Sequence, residues 1–254
     1  MNENMEKGRK EARIGLDNER DIVRLINTNK QFRRLIEGCL NELGFAMQGG
    51  IKAWEDDMKA DIFIGNDLKV GVSIKTSTKT TFHHLDRRWL EKWKEFLAMP
   101  DDIFVTLREA ILRIAKNPRD YFILPQDRAR IKEFFAGHIK DIINEIFTHA
   151  EEDLKLLMIN DKRKCKLYLF RMEEVINFVV KNAQNNISFS SKGIIKLGDF
   201  ITVQRKSGDS SKIIISKTDW KHPGNQLQFK FSPLMFAEYV EENKDIKMCS
   251  IELA

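Results

Sequence analysis

The stretch Lys59-Ala-Asp-Ile-Phe-Ile-Gly-Asn-Asp-Leu-Lys-Val-Gly-Val-Ser-Ile-Lys75 constrains the fold more than any other part of the chain. Two short Ile/Val/Phe-rich runs flank Gly65-Asn66-Asp67, a cluster of turn formers, so residues 60–75 read as one β-hairpin. Side chains alternate faces along a strand, which places Ser73 and Lys75 on one face and turns Val72 and Ile74 into the core. A tight turn near Asp67 then returns Asp61 to the side of Ser73. A carboxylate suited to a divalent metal and an ammonium suited to a phosphate converge on one spot. An ordinary surface hairpin with solubilising charges at its ends has the same spacing, so the pattern alone does not choose between them.

The rest of the chain supplies context. With 254 residues and 42% hydrophobic content it can bury a full core, as one large domain or two small ones. Net charge is +5, from 43 basic and 38 acidic side chains, which permits a polyanionic partner without requiring one. Cys39, Cys165 and Cys249 show no CxxC spacing and are expected as reduced thiols, with neither a disulfide framework nor a zinc knuckle. The histidines, His83, His84, His138, His149 and His222, lack metal-binding spacing. The charged N-terminal decapeptide has no apolar core of a signal peptide, and no stretch approaches the ~18–20 apolar residues of a membrane span. A soluble, cytoplasmic protein is expected.

There is no internal repeat or low-complexity linker, which predicts a single domain over 1–254, with a catalytic half to about residue 160 and a recognition half from about 161. Periodicity predicts helix over 9–45, broken near Asn27-Thr28-Asn29, and helical packing by Leu85, Trp89, Leu90, Trp93, Phe96 and Leu97. Further helices are expected over 102–117, 127–158, 173–181 and 233–242. Strands are expected at 167–170, 187–189, 200–205, 213–216 and 227–231.

Several segments carry a resemblance, in the same order, from about residue 11 to 236. They are Gly15-Leu-Asp-Asn-Glu19, the hairpin, Phe82-His-His-Leu-Asp-Arg-Arg-Trp-Leu90, Thr202-Val-Gln-Arg-Lys-Ser-Gly-Asp209 and Leu227-Gln-Phe-Lys230. The chain resembles the type II restriction endonucleases of the HinP/Msp kind, small PD-(D/E)xK nucleases that cut short GC-containing DNA sites. The resemblance implies an α/β fold with a mixed sheet flanked by helices and a β-rich C-terminal recognition segment. It also implies Mg²⁺ as cofactor, double-stranded DNA as substrate, a 5′-phosphate product and a cognate DNA methyltransferase as genetic partner, with monomer and homodimer both open.

By this resemblance Asp61 is a Mg²⁺ ligand and Lys75 contacts the scissile phosphate and the attacking water. Ser73 departs from the Asp or Glu of the superfamily pattern; its neutral hydroxyl reaches metal only through water or not at all. Glu19, in a Gly-x-x-x-Glu pattern, is the helix carboxylate expected to fill that gap. Lys79 and Arg87 suit phosphates beside the cut, and His84 aligns with a residue that presses into the base stack. Gln204, Arg205, Lys206, Ser207 and Asp209, with Asn225, Gln226 and Gln228, form the expected base-reading set, Gln204 and Lys206 sharing one strand face. Trp89, Trp93 and Phe96 read as core, and Lys162–Lys166 as a solvated loop. Two other readings stay open: a structure-specific repair or recombination nuclease, and a DNA-binding protein that has lost catalysis at Ser73.

Overall fold

The computed structural model describes residues 17–47, 50–55, 59–66, 68–207 and 213–253. These form two compact units, each assembled from segments far apart in sequence. One takes the described parts of Gly8–Thr81, Thr148–Phe178 and Ser232–Ala254; the other takes Phe82–Phe147 and the described parts of Val179–Phe231. The units therefore interleave along the chain.

The first unit is built on a six-stranded mixed sheet. Its strands are β1 (Lys52–Trp54), β2 (Ile62–Gly65), β3 (Lys69–Ser77), β5 (Leu154–Asp161), β6 (Lys166–Arg171) and β11 (Met248–Glu252), in the order β1-β2-β3-β5-β6-β11. Only β3 and β5 run parallel; the other pairs are antiparallel. Helix α1 (17–28) stops at Asn29, whose side chain accepts from the amides of Gln31 and Phe32 and so caps α2 (Lys30–Glu42). The expected break near Asn27–Asn29 is thus a helix N-cap. Ile22, Ile26, Ile36 and Leu40 pack on the sheet face formed by Ile62, Ile64, Val72, Ile74, Leu156 and Met158. On α8 (Pro233–Asn243), Phe236 stacks edge-on against Phe170 and Phe178. The expected mixed sheet flanked by helices is present.

Because helices cover both of its faces, β5 carries a continuous apolar run, Leu156-Leu-Met-Ile159, buried throughout. Such a run has no period-two signal, and Leu and Met favour helix. This is why the expected helix over 127–158 is wrong in its last third. The structure has α5 (Arg128–Gly137), α6 (Ile139–Thr148) and then a central strand. At the open edge of the sheet, the Asn27 side chain donates to Ala53 O at 2.8 Å and accepts from Ala53 N at 3.0 Å. It satisfies edge groups of β1 as a neighbouring strand would.

A second correction concerns the thiols. Cys39 of α2 and Cys249 of β11 form a disulfide, their Cα atoms 5.5 Å apart across a sequence separation of 210. Only the tertiary packing of α2 over the last strand brings them together, so no spacing rule could reveal the pair. Cys165 is a free, exposed thiol.

The second unit holds a five-stranded antiparallel sheet of order β4-β10-β9-β8-β7, from β4 (His83–Arg88), β7 (Ile187–Phe189), β8 (Ile195–Leu197), β9 (Ile201–Arg205) and β10 (Leu227–Phe231). Ile201, Val203, Phe229 and Phe231 are buried; Trp93 of α3 (Leu90–Phe96) meets Phe229 at 4.8 Å and Phe147 meets Phe231 at 5.3 Å. Trp93 is core, as expected, whereas Phe96 is 46% exposed. Residues 83–88 are a strand where helical periodicity was expected, and 213–216 form an exposed loop where a strand was expected. Among the described residues no helix is long and apolar enough to cross a membrane.

Candidate functional site

In the first unit the hairpin forms as the alternation requires. Ile62 pairs with Val72 and Ile64 with Val70, and the Asp61 amide donates to Val72 O at 2.9 Å. Asp67 lies outside the described residues. Asp61 arrives beside Ser73, and one carboxylate oxygen, Oδ2, gathers three donors: Ser73 Oγ at 3.2 Å, the Ile74 amide at 2.5 Å and Lys75 Nζ at 3.4 Å. Lys75 also donates to Ser73 Oγ at 2.9 Å, so ammonium, hydroxyl and carboxylate form one chain of hydrogen bonds. All donors sit on Oδ2, and Oδ1 takes no hydrogen bond from a described residue. The Asp61 and Lys75 side chains keep 25% and 18% of their exposure, enough for a substrate to reach them.

Glu19 joins them. Its carboxyl is pushed up to about 7, first by burial and then by the negative charge of Asp61, with Lys75 pulling the other way. The helix α1 carboxylate therefore lies within electrostatic reach of the hairpin site, although Gly15 of the same pattern is outside the described residues. Two mutually repelling carboxylates beside an ammonium are a cation site in charge terms. Among the described residues no group of three or more His, Cys, Asp or Glu side chains gathers for a metal. Asp61 and Glu19 nevertheless fit Mg²⁺, which binds through one or two carboxylates while keeping waters and phosphate oxygens as its other ligands. Lys79, the other candidate in this unit, lies in the exposed turn after β3, where its amide and carbonyl bracket Ser77 Oγ.

The remaining candidates lie on the second unit. Register aligns Gln204 of β9, Gln228 of β10 and Arg87 of β4 directly across three strands, and places Thr202, Lys230 and His84 in the next row. With Lys206 beyond Gln204, these residues make a polar face opposite the Val203/Phe229 core face. Gln228 Nε2 lies 3.5 Å from His84 Nδ1, and its Oε1 is buried without a hydrogen-bond partner. Lys206 donates to Pro223 O at 3.2 Å, and its ammonium is held below the usual lysine range by burial and then by Arg87. Lys230 is lowered by burial. Lys230 and Thr202 were not among the expected readers, although the alternation Gln228-Phe-Lys230 already put Lys230 on the face of Gln228. Gln226 is half-buried and its carbonyl accepts from the Lys206 amide. Ser207 is exposed with φ 56°, and Asp209 lies outside the described residues.

Two expected base readers are placed differently. Arg205 lies on the core side of β9, 2% exposed, and its Nε donates to Asn225 Oδ1 at 2.8 Å. Asn225 is fully buried and donates to Lys217 O at 3.0 Å and Asp219 O at 2.7 Å. Strand parity turns Arg205 inward with Val203, and the pair anchors the 217–225 turn. Similarly, Asp86 and Arg88 pair at 3.0 Å, Arg88 reaching on to Glu145, while Arg87 between them faces outward. In the 162–166 loop of the first unit, Arg163 binds Asp161 and Glu238, and Lys166 binds Glu241 and Glu252.

The six-stranded mixed sheet with its helices, together with the antiparallel second sheet, defines a restriction-endonuclease-like fold. A solved structure with this fold is the crystal structure of restriction endonuclease MspI in complex with its cognate DNA. The two agree with a TM-score of 0.53 over 82% of this chain and 81% of that one, at 15% sequence identity. At that identity the likeness is one of fold. No protein-family model matches the chain, and no curated protein matches its sequence.

Proposed function

We propose that this protein is a Mg²⁺-dependent, sequence-specific endonuclease of double-stranded DNA, a type II restriction enzyme of the PD-(D/E)xK superfamily. The observation that carries the reading is the hydrogen-bonded chain Lys75–Ser73–Asp61 on the hairpin, with Glu19 close enough to feel Asp61. Asp61, through Oδ1, and Glu19 are the groups to hold the cation. When bound, Mg²⁺ supplies Lewis acidity at the phosphate and lowers the pKa of a bound water. Lys75 offers an ammonium to the phosphate oxygens, where negative charge builds during in-line displacement. Ser73 orients Lys75 by accepting from Nζ, and the Ile74 amide fixes Asp61 Oδ2. Hydrolysis with this arrangement leaves a 5′-phosphate and a 3′-hydroxyl.

On the second unit, Arg87, Gln204, Lys206, Gln228 and Lys230 present donors and amides on one sheet face. Lysine and arginine pair with guanine O6 and N7, and a glutamine amide pairs with adenine N6 and N7. The unpartnered Gln228 Oε1 supports this use, because an acceptor left buried without a partner costs about 1–3 kcal/mol until something donates to it. The test is cleavage of a mixed-sequence duplex library by wild type and Asp61→Asn. Wild type is expected to release 5′-phosphorylated ends with Mg²⁺ and none with EDTA, and Asp61→Asn is expected to bind the same duplexes without cutting. No cleavage by either protein, with binding retained, would reject the reading in favour of a DNA-binding protein without catalysis, and equal cleavage by both would remove Asp61 from the site.

A further inference from the structure

Immediately before Asp61 the backbone is gripped by a residue with no counterpart in the chemistry described so far. The Glu151 carboxylate takes the Lys59 amide on Oε1 and the Ala60 amide on Oε2, the latter at 3.1 Å. The next amide, that of Asp61, is already bound to Val72 O at 2.9 Å. Three successive N–H groups are therefore fixed, two by Glu151 and one by β3, which sets the direction in which the Asp61 Cα–Cβ bond leaves the backbone. The same short segment holds the other arm of the hairpin. Asp153 O accepts from the Gly71 amide at 2.8 Å, where the β3–β5 register shifts between Gly71 and Val72. The approach is so close that a Cβ on Gly71 would stand 2.8 Å from Asp153 O. The Glu151 carboxylate and the Asp153 carbonyl thus clasp both arms, one leading into Asp61 and the other into Ser73 and Lys75.

The clasp is itself anchored. The Glu151 amide donates to Thr148 O at 3.0 Å, closing a turn through His149 and Ala150, both with positive φ, at 50° and 61°. Non-glycine residues occupy that left-handed region at a cost, and they persist there when the surroundings fix them. Lys59 Nζ lies 3.2 Å from His149 Nε2, tying the turn to the hairpin a second time. A carboxylate accepting two backbone amides makes a charge-assisted contact of the stronger kind.

We infer that Glu151 is a positioning residue for Asp61: its carboxylate, through the Lys59 and Ala60 amides, sets the direction in which Asp61 presents its free oxygen. This rests on the nuclease reading for its consequence in cleavage but not for its consequence in the backbone. The experiment uses the full chain with Glu151→Ala and Glu151→Gln, and with the exposed neighbour Glu152→Ala as control. Two quantities are read: hydrogen exchange of the peptide covering residues 59–62, without metal, and the Mg²⁺ concentration that half-saturates cleavage. Glu151→Ala is expected to speed exchange at 59–62 and to raise the half-saturating Mg²⁺ roughly 10–100-fold, the usual scale for outer-shell partners of metal ligands. Affinity for DNA in EDTA is expected to stay unchanged. Glu151→Gln, which keeps one acceptor oxygen, is expected to fall between, and serves if the alanine variant fails to fold. Unchanged exchange in both variants overturns the inference, as does faster exchange with an unshifted Mg²⁺ requirement. If wild type cuts no DNA, the nuclease reading fails, and exchange alone then decides whether Glu151 holds the backbone at Asp61.

Discussion

Single side chains at the hairpin differ in what they contribute. Asp61 accepts three donors and its charge acts on Glu19, so replacing it would remove both the proposed cation ligand and the centre of the hydrogen-bond chain. Ser73 contributes two hydrogen bonds, accepting from the Lys75 ammonium and donating to the Asp61 carboxylate. A hydrogen bond to a charged group is worth about 1.5–3 kcal/mol, so loss of one such contribution in Ser73→Ala is expected to slow single-turnover cleavage about 12–160-fold. A loss of three orders of magnitude would mean that the serine does more than orient Lys75. Glu19 sets a pH dependence. Its pKa in the fold, about 7, stands above the ordinary 4.5, so between those values the folded chain keeps a proton that the unfolded chain has released. Stability of the metal-free protein from this group therefore declines as pH rises through that window, while the carboxylate that would hold the proposed cation becomes available. Half-saturating Mg²⁺ is expected to fall between pH 6 and pH 8, and Glu19→Gln should flatten the change. Identical requirements at both pH values in wild type would remove Glu19 from the site. At this scale the sequence was most informative: the parity of Ser73 and Lys75 and the turn signal sufficed to bring Asp61 to them. Parity also warned that Arg205 shares a face with Val203, and the structure indeed buries it. The role of Glu151 was not legible, because it acts across a sequence separation of 91–92 residues.

Among elements, β5 lies inside the first unit's sheet between β3 and β6 and is buried from Leu156 to Asp161. Leu156 is fully buried against the helix α2 side of the sheet, and Leu156→Ala is expected to cost about 2–5 kcal/mol in urea unfolding. Leu35→Ala, at a position 45% exposed on α2, is expected to change stability by no more than about 0.5 kcal/mol. Equal losses would mean that β5 is not the centre of the core. The Cys39–Cys249 bridge ties α2 to the edge strand β11, and Cys249→Ser is expected to cost about 2–5 kcal/mol under oxidising conditions and far less with reductant present. Strands rich in aromatic and aliphatic residues and bounded by turn formers were visible in sequence, β6 among them although Leu167–Phe170 are all buried. The Asn29 break and the strands β6, β7, β9 and β10 all fall where they were expected. Elements whose burial is uniform, such as β5, carry no period. Elements of three residues, such as β1 and β8, are too short to show one.

For the whole molecule, net charge is a poor guide to where a polyanion would lie. Much of the basic 162–166 cluster is spent on Asp161, Glu238, Glu241 and Glu252. Burial raises the Asp161 carboxyl, but the Arg163 side chain and backbone donors outweigh it and hold the group low. Arg87 and Lys206 instead line a sheet face with few acids. With Arg87 at a phosphate, Arg87→Ala is expected to lower the magnitude of the slope of log K against log salt by about 0.9, whereas Lys164→Ala leaves it unchanged. A slope that responds to Lys164 and not to Arg87 would place the DNA elsewhere. The sequence indicated a mixed sheet with helices around it. It did not indicate that each unit is woven from separated segments, since strand order is settled by contacts that no local pattern encodes.

Digestion of unmethylated phage DNA by the purified protein, with Mg²⁺ and with EDTA, decides whether the protein is a sequence-specific nuclease. Discrete fragments that appear only with Mg²⁺ and disappear in Asp61→Asn are the predicted result, and mapping their ends gives the site. Intact DNA in both lanes, with binding retained in a gel shift, would contradict catalysis; a Mg²⁺-dependent smear would contradict sequence specificity.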